Sequence, residues 1–203
     1  MITSELQKLP GKFYTRSLIT VAKELLGKIL VKNTDGILYS GIITEVEAYD
    51  GLTDEASHSF RGVTPRNKIM FGVGGYFYVY FTYGTHFCCN VVTGTEGTGT
   101  AVLIRAVQPL DGIEHMISNR YGRELKNEKE KYNLTNGPGK VCKAFSIGRE
   151  HYGEDLTGNK IYILKRPRVR EDKIVSTRRI GITRSVDLLW RFYIKDNPYI
   201  SGK

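Results

Sequence analysis

At 203 residues and 23.0 kDa the chain has the length of one domain or two small ones. A chain of this size buries roughly 70% of its unfolded surface, so no disulfide or structural metal is required to hold it. Thirty Lys and Arg against 21 Asp and Glu leave a net charge of +9, which points to a polyanionic partner, nucleic acid first, while 40% hydrophobic and 25% charged residues exclude an extensively disordered chain.

The three cysteines, Cys88, Cys89 and Cys142, are odd in number and lack CxxC spacing. They predict neither a zinc site nor a disulfide framework, and hence a reducing cytoplasm; no metal or organic cofactor is expected. The opening MITSELQKLPGKFYTR has no apolar run behind a basic region and does not read as a signal peptide. Ile69 through Thr95 carries no charge and is long enough on paper to cross a bilayer. Five glycines, His86, Asn90 and a β-branched and aromatic core instead predict two strands with a Gly turn, and no membrane partner.

In chain order, Ser17 can cap a helix whose Leu18, Val21, Ala22, Leu25 and Leu26 share a face, closed by Gly27. KILVKN and ILYSGIITEVEAY flank Asp35-Gly36, the pair most typical of a tight hairpin. The segment 50–68, DGLTDEASHSFRGVTPRNK, is a loop long and specific enough to carry function. Strands follow at GYFYVYFTYG, HFCCNVVT and TAVLIRAVQ, with GTEGTG as a turn. Asp111 and Glu114 resemble a capping box for a helix holding Ile113, Met116 and Ile117. Residues 121–136 read as a solvated excursion, Pro138 opens a helix through Phe145, and strands recur near 160–164 and 191–195. No repeat or linker divides residues 1–203, so a single compact α+β domain is expected, built on a mostly antiparallel sheet with flanking helices.

Two constellations could do chemistry. From Gly41 to Phe60 there are five acids (Glu45, Glu47, Asp50, Asp54, Glu55) and no Lys or Arg, an acidic island that would repel a phosphate backbone unless a carboxylate is needed there. Strand periodicity puts Ile43, Glu45, Glu47 and Tyr49 on one face, successive members roughly 7 Å apart. That face is either catalytic or simply solvated, and Glu45 reads as solvated. In GYFYVYFTYG, Tyr76, Tyr78 and Tyr80 share a face and Tyr83 projects from a Gly turn. They can be packed core, or Tyr80 a wall for a base and Tyr83 a wedge between base pairs. The nine Lys and Arg between Lys160 and Arg184 form either a solvated face or a sequence-independent phosphate contact; Arg61, Arg66 and Lys68 also suit phosphate.

The runs TEVEAYDGLTDEASHSFRGVTPRNKIMF, YVYFTYGTHFCCNV, AVLIRAVQPLDG and NGPGKVCKAF, in that order, closely resemble the alkyladenine (3-methyladenine) DNA glycosylase family of the mammalian type, over roughly residues 16–200. The resemblance implies a curved, open-barrel-like sheet that acts on double-stranded DNA containing damaged purines; a monomer is expected, because a solitary lesion supplies no two-fold symmetry to match. It implies excision of bases of the 3-methyladenine, 7-methylguanine, hypoxanthine or ethenoadenine type without strand cleavage. Position by position, Glu47 matches the catalytic glutamate that activates water, and Arg105 the arginine that positions that water and the DNA phosphate. Tyr49 and Tyr80 match the walls of the base pocket, with His58 beside the base, and Asn90 matches the asparagine that excludes guanine. Tyr83 matches the residue inserted into the duplex. The chain departs from the family at Thr85, where a methionine often follows the Tyr-Gly of the wedge turn, and in its short N-terminus. Two competing readings use the same residues: a non-catalytic nucleic-acid-binding module, and a carbohydrate hydrolase with Glu45 and Glu47 as its carboxylate pair, for which +9 offers no reason.

Overall fold

The structure, a computed structural model, describes residues 6–34 and 36–202. Two short helices, α1 (Gly11–Tyr14) and α2 (Leu18–Leu25), precede the hairpin β1 (Ile29–Thr34) and β2 (Ile37–Tyr49). After the long loop come β3 (Phe77–Thr82), β4 (His86–Thr93) and β5 (Thr100–Asp111), then α3 (Ile113–Tyr121), α4 (Glu128–Tyr132) and α5 (Pro138–Ala144). The chain closes with β6 (Ile161–Leu164), β7 (Ile174–Thr177) and β8 (Arg191–Ile194). The strands form a curled antiparallel sheet in the order β3-β4-β5-β2-β1-β6, with β8 and β7 continuing from β2. This is the expected α+β class.

The 13-residue β2 organises the sheet. It runs beside β5 along one edge; along the other it pairs with β1 up to Ile42 and with β8 from Glu45 to Glu47. Exchanging partners midway bends the sheet and gives β2 buried neighbours on both sides. One sheet face carries the main core, in which Ile43, Val46 and Ala48 of β2 and Val102, Ile104 and Val107 of β5 pack with Val21, Ala22 and Leu25 of α2 and Val141 and Cys142 of α5. On the other face Tyr78, Val92, Ala101 and Met70 form a smaller cluster edged by Tyr76, Tyr80 and Tyr152. Alternation along β3 therefore sends Phe77 and Val79 to the main core and Tyr78 and Tyr80 to the opposite face, as the sequence pattern requires, while Phe81 near the strand end is exposed. No helix among the described residues is long and apolar enough to cross a membrane.

Helix α2 starts after Ser17 and Gly27 follows it at φ +79°, but the Ser17 hydroxyl donates to Thr20 Oγ1 instead of capping the backbone. Thr34 pairs with Ile37 and Gly36 has φ +80°, while Asp35 of the expected turn lies outside the described residues, as do residues 1–5 of the N-terminal reading. The capping box at Asp111 is absent: Gly112 precedes α3, and the Asp111 carboxylate accepts from Ser40 Oγ at 2.6 Å across the sheet. Residues 121–136 are not wholly solvated, since they hold α4 and end on buried Leu134 and Thr135. Strand β7 had no sequence signal of its own; its four residues are all at least partly exposed and form a strand by pairing with β8.

Candidate active site

Consecutive register shifts build the site. Ile43 faces Val107, Glu45 faces Ala106, and Val46 faces Ile104, which leaves Thr44 on β2 and Arg105 on β5 without opposite residues. Bulges of this kind re-aim side chains. Here the slip corrects the expected face: Ile43 turns into the main core with Val46 and Ala48, and Glu45, Glu47 and Tyr49 keep the other side. Thr44 is pinned by its hydroxyl, which donates to the Tyr199 carbonyl at 2.6 Å.

Glu47 is fully buried and is an acceptor only, as an ionised carboxylate must be. Its Oε1 accepts from the Ile180 backbone N–H at 2.7 Å, and its Oε2 from the Tyr49 hydroxyl at 2.8 Å and Arg105 Nη1 at 3.1 Å. Burial and then the charge of Glu47 raise the Tyr49 phenol far above its ordinary value, so it stays a donor. Burial alone would weaken the charge on Arg105, but Glu47 and Glu45 overcome it and raise its pKa.

Glu45 is not solvated. It is fully buried and its Oε1 accepts from Arg191 Nε at 2.6 Å, Ser201 Oγ at 2.7 Å and Arg105 Nε at 3.1 Å, while Oε2 accepts from the Ser201 N–H. Strand β8 and the segment after it fold back over β2 to supply these donors, a long-range contact that the local pattern around Glu45 does not contain. The acidic island is neutralised in the same way. Asp54 forms a fully buried two-pronged pair with Arg179, one prong from Nη2 at 2.7 Å, and Glu55 lies 3.8 Å from Arg184. Three of the five acids are thus buried and paired with arginine rather than presented to a phosphate backbone, and Arg179 is removed from the basic segment expected to meet phosphate.

Directly in front of Glu47 is a cavity of about 310 Å³, within the usual range for a small-ligand site. Tyr49, His58, Tyr80, Asn90 and Arg105 all line it, so the expected residues converge from β2, β3, β4, β5 and the long loop. Glu47 stands one layer behind: Tyr49, Arg105 and Ile180, its three hydrogen-bond donors, form the wall between it and the space. Neither carboxylate lines the cavity, and of the donors to Glu45 only Arg105 does, so the two do not face a common space as the carboxylate pair of a carbohydrate hydrolase would. Tyr83 stands at the mouth, 79% exposed, on a turn in which both it and Gly84 have positive φ (51° and 65°) and Thr85 N–H bonds to Thr82 O. A primed hairpin turn suits Gly84, whereas a bulky residue at Tyr83 is strained. His86 also lines the mouth; a Cβ at Gly139 would come within 2.4 Å of its ring, so glycine lets α5 approach there.

His58 donates to or accepts from the Tyr78 hydroxyl at 3.0 Å and meets the Tyr80 ring edge-on, centroids 4.5 Å apart. Desolvation by these neighbours, and then the charge of Arg66, push its pKa down to about 4, although the residue as a whole is exposed. The unfolded imidazole gains its proton first as pH falls below about 6.5. Folding is therefore expected to lose stability from that pH downward to about 4, and NMR titration should find the His58 ring neutral at pH 6. In Arg66→Ala its midpoint should rise. Arg66 itself is exposed, with its guanidinium 5.2 Å from the Tyr80 centroid. Arg61 and Lys68 are exposed on the same loop.

Several lining residues were missed. Cys88 is opposite Tyr80 in the β3–β4 register and faces the cavity with Asn90. Its thiol is pushed up to about 12, chiefly by burial. Alternation along HFCCNVVT, once the Tyr83 turn was assigned, puts Cys88 and Asn90 on one face and could have found it. Ile180 and Ser201 carry no such local signal. Among the described residues no group of three or more His, Cys, Asp or Glu is placed to hold a metal ion.

The chain is similar to known proteins over nearly its whole length. The chain is 47% identical over 202 residues to a protein of Alkaliphilus oremlandii, covering 97% of this chain and all of the relative. It is 47% identical to one of Clostridium acetobutylicum (96% and 97% covered) and 48% identical to one of Carboxydothermus hydrogenoformans (96% and 99% covered). All three are named as candidate 3-methyladenine DNA glycosylases. The family model described as methylpurine-DNA glycosylase matches residues 12–198, and the chain belongs to that family of DNA glycosylases.

Proposed function

We propose that this protein is a monofunctional DNA glycosylase that hydrolyses the N-glycosidic bond of alkylated purines in duplex DNA and leaves an abasic site. The observation that carries this reading is the placement of Glu47: a buried carboxylate whose three donors are themselves walls of a cavity lined by Tyr49, Tyr80, His58 and Asn90. A lesion in the stack is out of reach, so the nucleotide swings out, at a cost of a few kcal/mol that weakened pairing lowers. Tyr83 fills the gap. The purine enters between Tyr49 and Tyr80, whose ring faces attract a cationic base by about 0.5–2 kcal/mol. Asn90 tests the base edge, and His58, neutral at pH 7, meets the base as a hydrogen-bonding partner rather than as a cation.

A carboxylate offers about four acceptor positions, of which Glu47 uses three, and the fourth is filled by a water admitted past Tyr49 and Arg105, which stand between Glu47 and the cavity. The water oxygen bonds to C1′ as the C1′–N bond breaks. The electron pair leaves with the base, and the water's proton passes to Glu47. The carboxylate also stabilises the cationic character that develops on the sugar. Among the described residues no lysine lines the cavity, which favours water over an amine as the nucleophile. Neutral lesions such as hypoxanthine fit the same space but need their leaving group hydrogen-bonded, so slower release is expected for them.

The test is release of free 7-methylguanine from a duplex carrying a single lesion, followed by alkali. Strand cutting should depend on alkali, and borohydride should trap no protein–DNA adduct. Binding of the lesion duplex without base release overturns the enzyme reading in favour of a passive module; a trapped adduct overturns water as nucleophile. The wedge can be tested separately through its strained backbone. Tyr83→Asn, with a residue that tolerates positive φ, should raise stability by up to about 1 kcal/mol. The same change should slow base release at least tenfold in single-turnover assays, because nothing then fills the gap left by the extruded nucleotide. Slower release without a fall in melting temperature separates this role from a structural one.

A further inference from the structure

Glu45 has no part in the mechanism above, yet it accepts four hydrogen bonds. We propose that Glu45, clamped by Ser201 and Arg191, is a positioning residue that fixes Arg105 against Glu47 and sets the charge balance under which Glu47 works; this rests on the reading of Glu47 as the base. The geometry is specific. Arg105 forks two carboxylates, with Nε to Glu45 at 3.1 Å and Nη1 to Glu47 at 3.1 Å, and both its Nε and Nη2 donate to Ser201 Oγ at 3.1 and 3.0 Å. That hydroxyl spends its single proton on Glu45 at 2.7 Å, and Arg191 Nη2 holds the Ser201 carbonyl at 2.7 Å. Rotation of the guanidinium would break bonds to three residues at once, Glu45, Glu47 and Ser201. Arg105 also lines the cavity, and one N–H each on Nη1 and Nη2 is not used in these bonds and can serve a water or a phosphate.

The charges close as well. Glu45 and Glu47 contribute two negative charges, and Arg105 from β5 and Arg191 from β8 two positive ones. The other titratable groups facing Glu47 are the Tyr49 phenol on its own strand and the Cys88 thiol from β4, both raised and neutral, and Arg179 stacked on Tyr49 is balanced by Asp54. Removing one charge from the four-membered cluster therefore alters the field at Glu47 in a direction fixed by its sign.

The experiment compares Ser201→Ala, Glu45→Gln and Arg191→Gln with the parent in single-turnover release of 7-methylguanine from pH 5 to 9, alongside lesion-duplex affinity and thermal melting. Ser201→Ala should release base 10- to 100-fold more slowly with affinity unchanged within threefold, because Ser201 is buried and does not line the cavity. Glu45→Gln leaves the cluster positive and should move the acid limb of the pH–rate profile to lower pH; Arg191→Gln leaves it negative and should move that limb to higher pH. A purely structural role would shift melting temperature without moving the two limbs in opposite directions. Rates within threefold of the parent in folded Ser201→Ala and Glu45→Gln, or limbs that move together, overturn the proposal. If the charge variants do not fold, the rate-against-affinity split in Ser201→Ala decides alone. Full activity in Glu47→Gln, by contrast, would sink the reading of Glu47 as the base and not the clamp on Arg105.

Discussion

Glu47→Gln should bind a duplex containing 7-methylguanine as the parent does and release the base at least about 10³-fold more slowly, since general-base catalysis and charge stabilisation by a fixed carboxylate each contribute factors of about 10²–10⁴. The amide is nearly isosteric, so the cavity in front of it keeps its walls. What changes is the sign of its hydrogen bonding. Three donors converge on Glu47, from Ile180, Tyr49 and Arg105, and the amide NH₂ must turn a fourth donor toward one of them. A buried mismatch of this kind costs about 1–3 kcal/mol, so melting a few degrees lower should accompany the catalytic loss. The loss should also depend on the lesion. A cationic 7-methylguanine leaves readily and needs less assistance, whereas neutral hypoxanthine needs both an activated water and a stabilised leaving group. The ratio of parent to variant rates should therefore be larger for hypoxanthine. Single-turnover measurement on both duplexes, with affinity measured for each variant, gives the result directly. Parent-like release from either substrate would remove Glu47 from the mechanism.

The contrast between Glu47 and Glu45 shows what the sequence could carry. Glu47, Tyr49, Tyr80, Tyr83 and Asn90 lie within strands or at a turn tip where period two and a Tyr-Gly pair decide which way a side chain points, and their convergence on one cavity follows from hairpin register. The α+β class and the chain positions of the main strands were legible for the same reason. Glu45 lies on the expected face but is not solvated, because its environment comes from residues about 150 positions away, Arg191 and Ser201; the bulges at Thr44 and Arg105 move Ile43, not Glu45, to the other face. Asp54 was counted as part of a repelling acidic island for an equivalent reason: its partner, Arg179, was counted in a basic segment taken to meet phosphate. Charge runs read along the chain report composition; which of them face water depends on which of them fold against each other. The basic tail and the acidic island are partly one structure, the tail supplying the cations that let the island enter the interior.

That interlock makes Asp54 the position where a small change should cost the fold most. Both side chains of the Asp54–Arg179 pair are fully buried, and the Arg179 Nε has no hydrogen-bond partner among the described residues, so the guanidinium depends on its two prongs to Asp54 and on bonds to the Ala48 carbonyl and, at 3.4 Å, the Ser185 carbonyl. Asp54→Asn removes the countercharge and leaves an uncompensated buried cation, a change that costs about 3–5 kcal/mol. For a chain of this length each kcal/mol lowers the melting temperature by roughly 2–4 °C, so a fall on the order of 10 °C is expected by calorimetry. Arg179→Met in the same background should recover a large part of that loss, because removing both charges is far less costly than stranding one. Activity need not return with stability. Arg179 lies 4.6 Å from the Tyr49 ring centroid and immediately precedes Ile180, whose N–H bonds to Glu47, so the pair also fixes the wall between the carboxylate and the cavity. The double variant should therefore melt near the parent while base release stays at least tenfold slower. A double variant as unstable as Asp54→Asn would show that the loss came from the packing of residue 54 and not from a stranded charge.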